Sequence, residues 1–353
     1  MTSTASVAEN PTPTSVPAKR KKSKKKFLKA KTKVEIVDPK GSVVDDALFD
    51  AIVTEIKSQV PGAFVPHLGV KLAEVSAYIP MPKALCEVMD LDGLPCGQII
   101  QTVGDSDTGK TTFCNHALIE CQKAGGIAVL IDTEHKYDIK RAVAMGLNRD
   151  RLVWKKARTI EEAFTVLIRT LKIIRDRAPK ALVVVVWDSI GGTPCLREVE
   201  GTGADGEDED EKNQSSEYAP AAAKAIKGGL RKTRYFIQEM NAAFLMINQF
   251  YTRTDLSGPA AKFAKKKKAY GGEGPKYFSS VVLEFTRIGT LSHERKGKKI
   301  KFGIESQVEC VKNHLGQPFR VVEVEIDKYG VVGADRRAGD APEGLAPVLE
   351  AAK

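Results

Sequence analysis

Short apolar runs alternate with longer amphipathic segments through the middle of the chain. The apolar runs predict buried strands at 99–103, 127–132, 181–188 and 243–248. Between them, apolar residues recur at helical spacing and predict helices at 110–123, 160–177 and 218–241. This alternation is typical of β-α-β units. It predicts an α/β fold with a central, mainly parallel β-sheet flanked by helices.

Other patterns appear on either side of this region. One apolar helical face predicts a small packing helix at 45–59, and a short helix is predicted at 345–352. Later strands are predicted at 281–288, 301–312 and 319–327. In the last of these, apolar and acidic residues alternate, as in an antiparallel strand at the edge of a sheet. The stretches 199–216 and 250–275 lack a regular period and are long enough to predict functional loops.

The charge of the chain is concentrated near its start. The 55 basic and 45 acidic residues give a net charge of +10, and residues 19–33 alone hold ten Lys or Arg and no Asp or Glu. A block of like charge repels itself and stays extended, so we predict a disordered basic arm over 1–33. Such an arm suits nucleic acid, an acidic membrane surface or an acidic protein segment, or it is a solubilising tail.

The chain carries no pattern of a membrane or secreted protein. No apolar run approaches the ~20 residues that a membrane span requires, and the basic N-terminal segment has no apolar stretch beside it. The six cysteines are scattered and form no C-x-x-C pair, which is typical of reduced thiols. We therefore expect a cytoplasmic protein without membrane partners.

A glycine-rich segment follows the first predicted core strand. Residues 104–111 read GDSDTGKT and fit the pattern G-x-x-x-x-G-K-[ST], directly between a predicted strand and a predicted helix. In such a loop the backbone N–H groups surround phosphates, the lysine reaches the β- and γ-phosphates, and the threonine ligates Mg²⁺. The predicted nucleotide-binding residues are Gly104, Asp105, Ser106, Asp107, Thr108, Gly109, Lys110, Thr111 and Thr112.

Two carboxylates complete the predicted phosphate site. Asp188 ends the apolar run 181–188 and is the candidate that holds Mg²⁺ together with Thr111. Glu134 follows the strand 127–132, where it can activate the water that attacks the γ-phosphate. These residues predict a P-loop nucleoside triphosphatase with ATP and Mg²⁺ as cofactors, and they leave open what the hydrolysis drives.

Motifs over 75–327 resemble, in the same order, those of the RecA family of DNA recombinases and its phage relatives of the UvsX type. The matching segments are GLPCGQII at 93–100, IDTEH at 131–135, DS at 188–189, MINQ at 246–249, GG and KY within 271–277, and VKN to PF over 311–319. The stretch 274–277 is closer to the phage version. The resemblance implies a RecA-like P-loop core at 81–330, preceded by an oligomerisation segment at 34–80 and followed by a short tail at 331–353.

The resemblance also implies a function. It implies an ATP-dependent recombinase that forms a helical filament of identical subunits on single-stranded DNA, with ATP bound between neighbouring subunits, and that pairs the strand with double-stranded DNA for strand exchange. Single-strand-binding and loader proteins are further expected partners, and a phage-encoded member would act in the bacterial host cytoplasm.

Particular residues take their roles from the same resemblance. Lys110 and Glu134 are catalytic, and Gln249 senses the γ-phosphate and signals to the second DNA-binding loop, 250–275, whereas 199–216 is the first. Lys312 reaches the nucleotide of the neighbouring subunit. His314 stands where the family has a second lysine, and Arg141 stands where the bacterial family stacks a tyrosine on adenine.

The second loop has the chemistry of a single-strand binder on its own terms. Its lysines neutralise phosphates and its aromatic residues offer stacking faces, although a solvated lysine run has the same composition. The predicted DNA-binding residues are Lys262, Lys265, Lys266, Lys267, Lys268, Tyr270, Gly271 and Gly272. Two alternative functions stay open from the residues: a hexameric helicase or translocase, and a non-catalytic ATP-binding recombination mediator.

Overall fold

A computed structural model of the chain describes residues 46–59, 75–201, 211–252 and 267–332. The chain divides into two units, Met1–Leu72 and Ala73–Lys353. The predictions of a basic arm at 1–33 and a helix at 345–352 lie outside the described residues, as do three of the predicted DNA-binding lysines, Lys262, Lys265 and Lys266.

The described part of the first unit is one helix, α1 (Asp46–Gln59), which agrees with the helix predicted at 45–59. Hydrogen bonds within the helix span one turn: the Gln59 amide donates to Glu55 Oε1 at 3.1 Å, and the Thr54 hydroxyl donates to the Asp50 carbonyl at 2.8 Å. The side-chain pair Gln59–Glu55 stabilises the helix locally, whereas a Thr hydroxyl that bonds the carbonyl four residues earlier does not.

The described part of the second unit alternates strands and helices. Its strands are β1 (Tyr78–Ile79), β2 (Leu94–Pro95), β3 (Ile99–Gly104), β4 (Ile127–Asp132), β5 (Leu152–Lys156), β6 (Val183–Asp188), β7 (Ala242–Thr252), β8 (Lys267–Ala269), β9 (Val281–Arg295), β10 (Lys298–Asn313), β11 (Val321–Asp327) and β12 (Gly330–Val331). Its helices are α2 (Lys83–Met89), α3 (Lys110–Lys123), α4 (Ile139–Ala144), α5 (Ile160–Arg177), α6 (Leu196–Gly201), α7 (Glu211–Glu239) and α8 (Gly274–Phe278).

Within the described residues, ten strands form one sheet: nine follow the order β12-β11-β10-β9-β3-β7-β6-β4-β5, and β8 pairs with β7 off this path. Neighbours from β9 to β5 pair in parallel, whereas β10, β11 and β12 extend the sheet with antiparallel pairs. The α/β fold with a mainly parallel sheet is therefore confirmed. The alternating strand predicted at 319–327 is antiparallel as expected, and only the short β12 lies outside it.

Helices cover both faces of the sheet, and β6 shows why its sequence is apolar throughout. Val184 and Val186 point into a core formed with α2 and α3, whereas Val183, Val185 and Trp187 point into a second core formed with α5 and α7. All five side chains are buried. A strand buried on both faces needs a continuous apolar run, and parallel strands covered by helices have this environment.

The two stretches predicted as long loops contain more regular structure than their sequences indicated. Helix α6 and the start of α7 occupy both ends of 199–216, so the prediction of an irregular stretch was wrong there. Likewise β7 continues to Thr252, and β8 and the start of α8 lie within 250–275. These elements are short or bordered by polar residues, so they carry little periodicity.

The edge strand β5 was missed by the sequence reasoning. Its burial is low, with Val153 and Trp154 about two-fifths exposed. It pairs only with β4 in the described residues, from Ala128 opposite Leu152 to Asp132 opposite Lys156. An exposed edge strand needs no alternation of apolar and polar residues, so its pattern is weak.

Two adjacent glycines in α7 differ in their surroundings and yield a stability prediction. A Cβ at Gly229 would overlap the ring of Phe164, which packs edge-on against Trp187 with centroids 5.0 Å apart. We expect Gly229→Ala to destabilise the fold by about 1–3 kcal/mol, because a packed core cannot absorb the added methyl group. Urea unfolding of the full chain measures this change.

Gly228→Ala is the matched control. A Cβ at Gly228 meets nothing within 4 Å, so we expect this variant to be more stable by about 0.5–1 kcal/mol through helix propensity alone. Equal unfolding midpoints for the two variants would contradict the packing of α7 on Phe164.

Candidate nucleotide-binding site

A cleft of about 260 Å³ lies at the carboxyl ends of the parallel strands. In open α/β sheets, ligands bind at this edge, because the loops that follow neighbouring strands meet there. The cleft brings together residues predicted separately from the sequence: the P-loop after β3, Glu134 after β4, Asp188 at the end of β6, and Gln249 in β7.

The P-loop leads from β3 into α3, and two of its glycines are required by geometry. A Cβ at Gly104 would collide with the Phe285 carbonyl of the neighbouring strand β9. Gly109 has a φ of 99°, a conformation that L side chains rarely adopt, and it precedes the first residue of α3. The hydroxyl of Ser306, buried on β10, donates to the Thr108 carbonyl at 2.7 Å. These contacts set the path of the loop.

The Lys110 side chain folds back over the loop. It is 6% exposed, and its ammonium donates to the Asp105 carbonyl at 2.5 Å and to Thr108 Oγ1 at 3.4 Å. Burial lowers the pKa of Lys110, and nearby carboxylates, Asp188 first among them, oppose that shift. The ammonium therefore lies among negative charges, where a phosphate oxygen can take over its contacts.

Oxygen ligands suited to Mg²⁺ meet beside the start of α3. The Thr111 hydroxyl donates to Asp188 Oδ2 at 3.2 Å, and Asp132 Oδ2 is buried without a hydrogen-bond partner among the described residues. Burial, followed by the charge of Glu134, raises the pKa of Asp188 to about 7. A bound cation would offset this repulsion. Hydroxyl and carboxylate oxygens are the ligands that Mg²⁺ prefers, so the residues fit the ion.

The described residues hold no cluster of three or more His, Cys, Asp or Glu side chains arranged to bind a metal. Magnesium at a nucleotide site typically takes only one or two protein carboxylates, because phosphates and waters supply its other ligands. The arrangement at Thr111 and Asp188 is of this sparse kind.

Glu134 Oε1 accepts two hydrogen bonds from different elements. The Ser189 hydroxyl, after β6, donates to it, and the Gln249 amide, on β7, donates to it at 2.9 Å. A Cβ at Gly192 would approach the Glu134 side chain to 3.1 Å, so the glycine leaves room for the carboxylate. These contacts aim the carboxylate into the cleft.

A buried hydroxyl network fixes the turn that carries Ser189. The Thr133 hydroxyl donates to the Ser189 carbonyl at 2.9 Å and accepts from the Trp187 indole at 3.2 Å and from the Thr193 hydroxyl at 2.7 Å. The Asp188–Ser189 peptide bond is cis. The motif DS at 188–189 includes Ser189, but sequence reasoning assigned this residue no role and did not predict the network, because isolated Ser and Thr residues carry no spacing signal.

The end of β7 also connects the cleft with the segment predicted to bind DNA. Strand β8 pairs with β7 from Phe250 to Thr252, and the Tyr270 N–H donates to the Gln249 carbonyl at 3.2 Å. The Lys267 ammonium forms an ion pair with Asp105 of the P-loop at 2.5 Å. Gly271 and Gly272 follow, both with positive φ, and Lys268 lies opposite Tyr251. The described part of the second loop therefore touches the phosphate loop.

Arg141 lies on the wall of the cleft and is tied to two other elements. Its guanidinium donates to Thr112 Oγ1 at 3.0 Å and to the Asp327 carbonyl at 3.1 Å, and its buried Nε has no partner among the described residues. The Asp138 carboxylate caps the helix that carries it. The guanidinium is thus held in place at the cleft, whereas Thr112, predicted to bind the nucleotide, is buried and is not among the residues that line the cleft.

Lys312 and His314 lie elsewhere in the unit. They line a different cavity, of about 410 Å³, together with Arg234 and Tyr277, and this cavity shares no residue with the nucleotide cleft. The Lys312 ammonium donates to the carbonyls of Lys276 and Tyr277 at 2.7 and 3.1 Å. Burial lowers its pKa. Within one chain, therefore, these two residues are not part of the cleft.

The fold and the cleft define the class of protein first. A loop of this sequence between a buried strand and a helix, with a strand-end aspartate beside its threonine, is the arrangement of P-loop nucleoside triphosphatases. The family model described as RecA N-terminal domain matches residues 48–331, which is most of the chain. The chain belongs to the RecA family.

Curated relatives agree with this assignment. The chain is 29% identical over 280 residues to "Protein RecA" of Xanthomonas campestris pv. campestris strain B100, covering 78% of this chain and 74% of the relative. It is 29% identical over 241 residues to "Protein RecA" of Campylobacter jejuni subsp. doylei, covering 67% of this chain and 62% of the relative. It is 28% identical over 243 residues to "Protein RecA" of the Wolbachia of Brugia malayi, covering 69% of this chain and 61% of the relative.

Membership of the RecA family establishes the activity of the chain. It is an ATP-dependent DNA recombinase and a DNA-dependent ATPase that acts in DNA repair. Like other members it uses a nucleotide and binds DNA as an assembly of identical subunits. No helix among the described residues is both long and apolar enough to cross a membrane.

Proposed function

We propose that the chain forms a helical filament on single-stranded DNA when it binds ATP and Mg²⁺, and that this filament pairs with double-stranded DNA and exchanges strands. The observation that carries the proposal is the position of Gln249. Its amide contacts Glu134 in the nucleotide cleft, and its backbone carbonyl accepts a hydrogen bond from Tyr270 beside the DNA-binding segment. One residue thus joins the two sites.

The cleft residues take up separate tasks in hydrolysis. The backbone N–H groups of the loop 104–111 and the Lys110 ammonium bind the phosphates, and Thr111 and Asp188 hold Mg²⁺. When bound, Mg²⁺ would supply positive charge that offsets the negative charge of the phosphates. Glu134 accepts the proton of the attacking water, and Ser189 keeps its carboxylate in position. Arg141 contacts the nucleotide from the wall of the cleft, and Thr112 takes part by accepting the hydrogen bond that positions the guanidinium.

Two contacts couple the nucleotide to DNA binding. A γ-phosphate in the cleft competes with Glu134 for the Gln249 amide, and any shift of Gln249 is passed to β8 through the backbone bond to Tyr270. The Lys267–Asp105 ion pair adds a second link, because phosphates near the P-loop change the charge that Lys267 meets. The lysines and glycines of 262–272, with Tyr270 as a stacking face, bind the single strand.

Assembly places a second subunit at the cleft. Lys312 and His314 are away from the nucleotide of their own chain, so their role in nucleotide binding is to contact the triphosphate of the neighbouring subunit. Lysine supplies a permanent cation there, whereas histidine supplies one only when protonated. The segment 34–80 serves oligomerisation, and the arm at 1–33 adds electrostatic attraction to DNA. Single-strand-binding and loader proteins are proposed partners in the cytoplasm of a bacterial cell.

Nucleotide-dependent binding to a single strand tests this function. With a non-hydrolysable ATP analogue and Mg²⁺, the wild-type chain is expected to bind a labelled single strand about tenfold or more tightly than without nucleotide, and to appear as helical filaments by electron microscopy. Gln249→Ala is expected to bring that ratio close to one, because the link from the cleft to β8 is lost. Fluorescence anisotropy gives the affinities.

Ser189→Ala is the matched control for Gln249→Ala. Each variant removes one hydrogen bond to Glu134 Oε1, but only Gln249 also contacts the DNA-binding segment. Ser189→Ala is therefore expected to slow hydrolysis and to retain the nucleotide dependence of DNA binding. Equal wild-type affinities with and without nucleotide would overturn the proposed function, and closed rings without helical filaments would favour a hexameric helicase.

A further inference from the structure

Strands β9 and β10 continue beyond the sheet as a two-stranded ribbon, which comprises residues 291–302. Strand β9 pairs with β3 only up to Phe285, and β10 pairs with β11 only from Ile304. Between these limits and the turn at Lys296, the two strands pair with each other and with no third strand in the described residues. Residues 293–302 are exposed, so both faces of the ribbon are open there, whereas Leu291 at its base is buried.

The ribbon is strongly basic. Among residues 291–302 the only carboxylate is Glu294, and the basic side chains are all exposed. None of them forms an ion pair with a carboxylate in the described part of the chain. The cations are Arg295, Lys296, Lys298, Lys299 and Lys301.

Register places these cations on both faces of the ribbon. Arg295 lies opposite Lys298, and directly paired residues of an antiparallel ladder point to the same side. Lys299 and Lys301 point to the other side, because successive residues of a strand alternate. Lys299 and Lys301 are about 7 Å apart along the strand at the usual rise per residue. Lys296 stands at the turn.

The presence of cations on both faces favours a duplex over a single strand as the ligand of the ribbon. A single strand that lies along one face needs its cations on that face, whereas a ribbon inserted between two phosphate backbones meets anions on both sides. The major groove of DNA is about 12 Å wide and admits a two-stranded β-ribbon. The ladder from Lys298 to Lys301 is in regular register, and the nearest register shift lies between Lys301 and Gly303 at the base of the ribbon.

We propose that the ribbon 291–302 is a separate binding surface for double-stranded DNA, which enters a groove and contacts the phosphates on both sides with its five cations. The surface lies outside the nucleotide cleft and outside the loop 250–275. Phe302, half exposed beside His293 with ring centroids 5.5 Å apart, supports the base of the ribbon. The proposal rests on the recombinase function in one respect, which is that DNA is the polyanion that the ribbon binds.

The test replaces all five cations by glutamine in the full chain. Binding to a labelled duplex is measured over a salt series, with the magnesium-bound ATP analogue present. We expect duplex affinity to fall about tenfold or more, and the slope of log affinity against log salt to become shallower by about 4.5, at about 0.9 for each of the five lost phosphate contacts. Single-strand affinity and single-strand-stimulated ATPase activity are expected to change by less than about twofold, and they show that the variant is folded.

A control variant removes five exposed cations outside the ribbon, so that the net charge falls equally. The control positions are Arg149, Arg151, Lys172, Arg177 and Lys180. An equal loss of duplex affinity in the control, or an unchanged salt slope in the ribbon variant, would overturn the proposal. A parallel loss of single-strand affinity would make the ribbon part of the single-strand site and would also overturn it.

The same measurements separate this proposal from the proposed function. A wild-type chain whose single-strand binding ignores nucleotide would contradict the coupling through Gln249. The comparison of duplex binding between the ribbon variant and its control would still decide whether the ribbon contacts duplex DNA.

Discussion

Replacing Lys110 by alanine is expected to lower the kcat of DNA-stimulated ATP hydrolysis by roughly 10³-fold and to abolish filament formation with the ATP analogue. The ammonium is buried at the P-loop and lies among carboxylates, of which Asp188 has the largest effect on its pKa. Without it, the triphosphate would face these carboxylates with no protein cation inside the loop. Both binding and the stabilisation of the transition state would be lost.

Lys136→Ala is the matched control for this substitution. Lys136 lines the same cleft, so its removal changes the charge of the cleft by the same amount. Its side chain is exposed, and it belongs to the segment after β4 and not to the P-loop. We expect a change in kcat of less than about tenfold, which corresponds to one exposed charge. Similar losses in both variants would mean that net charge, and not the position of Lys110, determines activity.

The sequence predicted most of the central fold because its strands are buried on both faces. The continuous apolar run at 181–188 could belong only to a covered strand or a buried helix, and its length favoured the strand. The observed β6 begins at Val183 and ends at Asp188, as expected within two residues. The elements that the sequence did not predict, such as β5 and α6, are exposed or short, and exposure removes the periodicity on which prediction depends.

The candidate site also contains residues that the sequence predicted and contacts that it could not predict. The P-loop and the two strand-end carboxylates have local patterns, and the structure brings Lys110, Glu134 and Asp188 into one cleft. The contacts that orient them have no local pattern. Ser306 reaches the P-loop from 198 residues away, and Arg141 reaches the Asp327 carbonyl from 186 residues away. A single sequence cannot show such pairs, because spacing along the chain does not report distances between strands.

The ion pair between Asp105 and Lys267 adds a feature that neither motif predicts. Asp105 belongs to the nucleotide loop and Lys267 to the segment predicted to bind DNA, 162 residues later. Both side chains are about half exposed, so the pair itself contributes little stability, about 0–1 kcal/mol. Its importance is geometric, because it joins the same two sites that Gln249 joins from within the sheet.

Replacing Glu134 by glutamine is expected to lower the kcat of ATP hydrolysis by roughly 10²–10⁴-fold while ATP binding and filament formation persist. Glutamine keeps an oxygen that can accept from Ser189 and from Gln249, so the hydrogen bonds seen at Oε1 can survive. What glutamine lacks is the basicity that removes a proton from water. Filaments of the variant should therefore form with ATP itself and disassemble slowly, because the γ-phosphate is not released.

Asp107→Asn separates this loss of basicity from a loss of negative charge. Asp107 is a carboxylate of the same cleft, and asparagine tolerates its φ of 57°. The control is expected to change hydrolysis by less than about tenfold, because it removes a charge but no proton acceptor beside Ser189. Rapid-quench measurement of a single turnover gives the chemical step directly. A Glu134→Gln variant that hydrolyses ATP as fast as the control would exclude Glu134 as the base, and the activation of water would then require another group at the cleft.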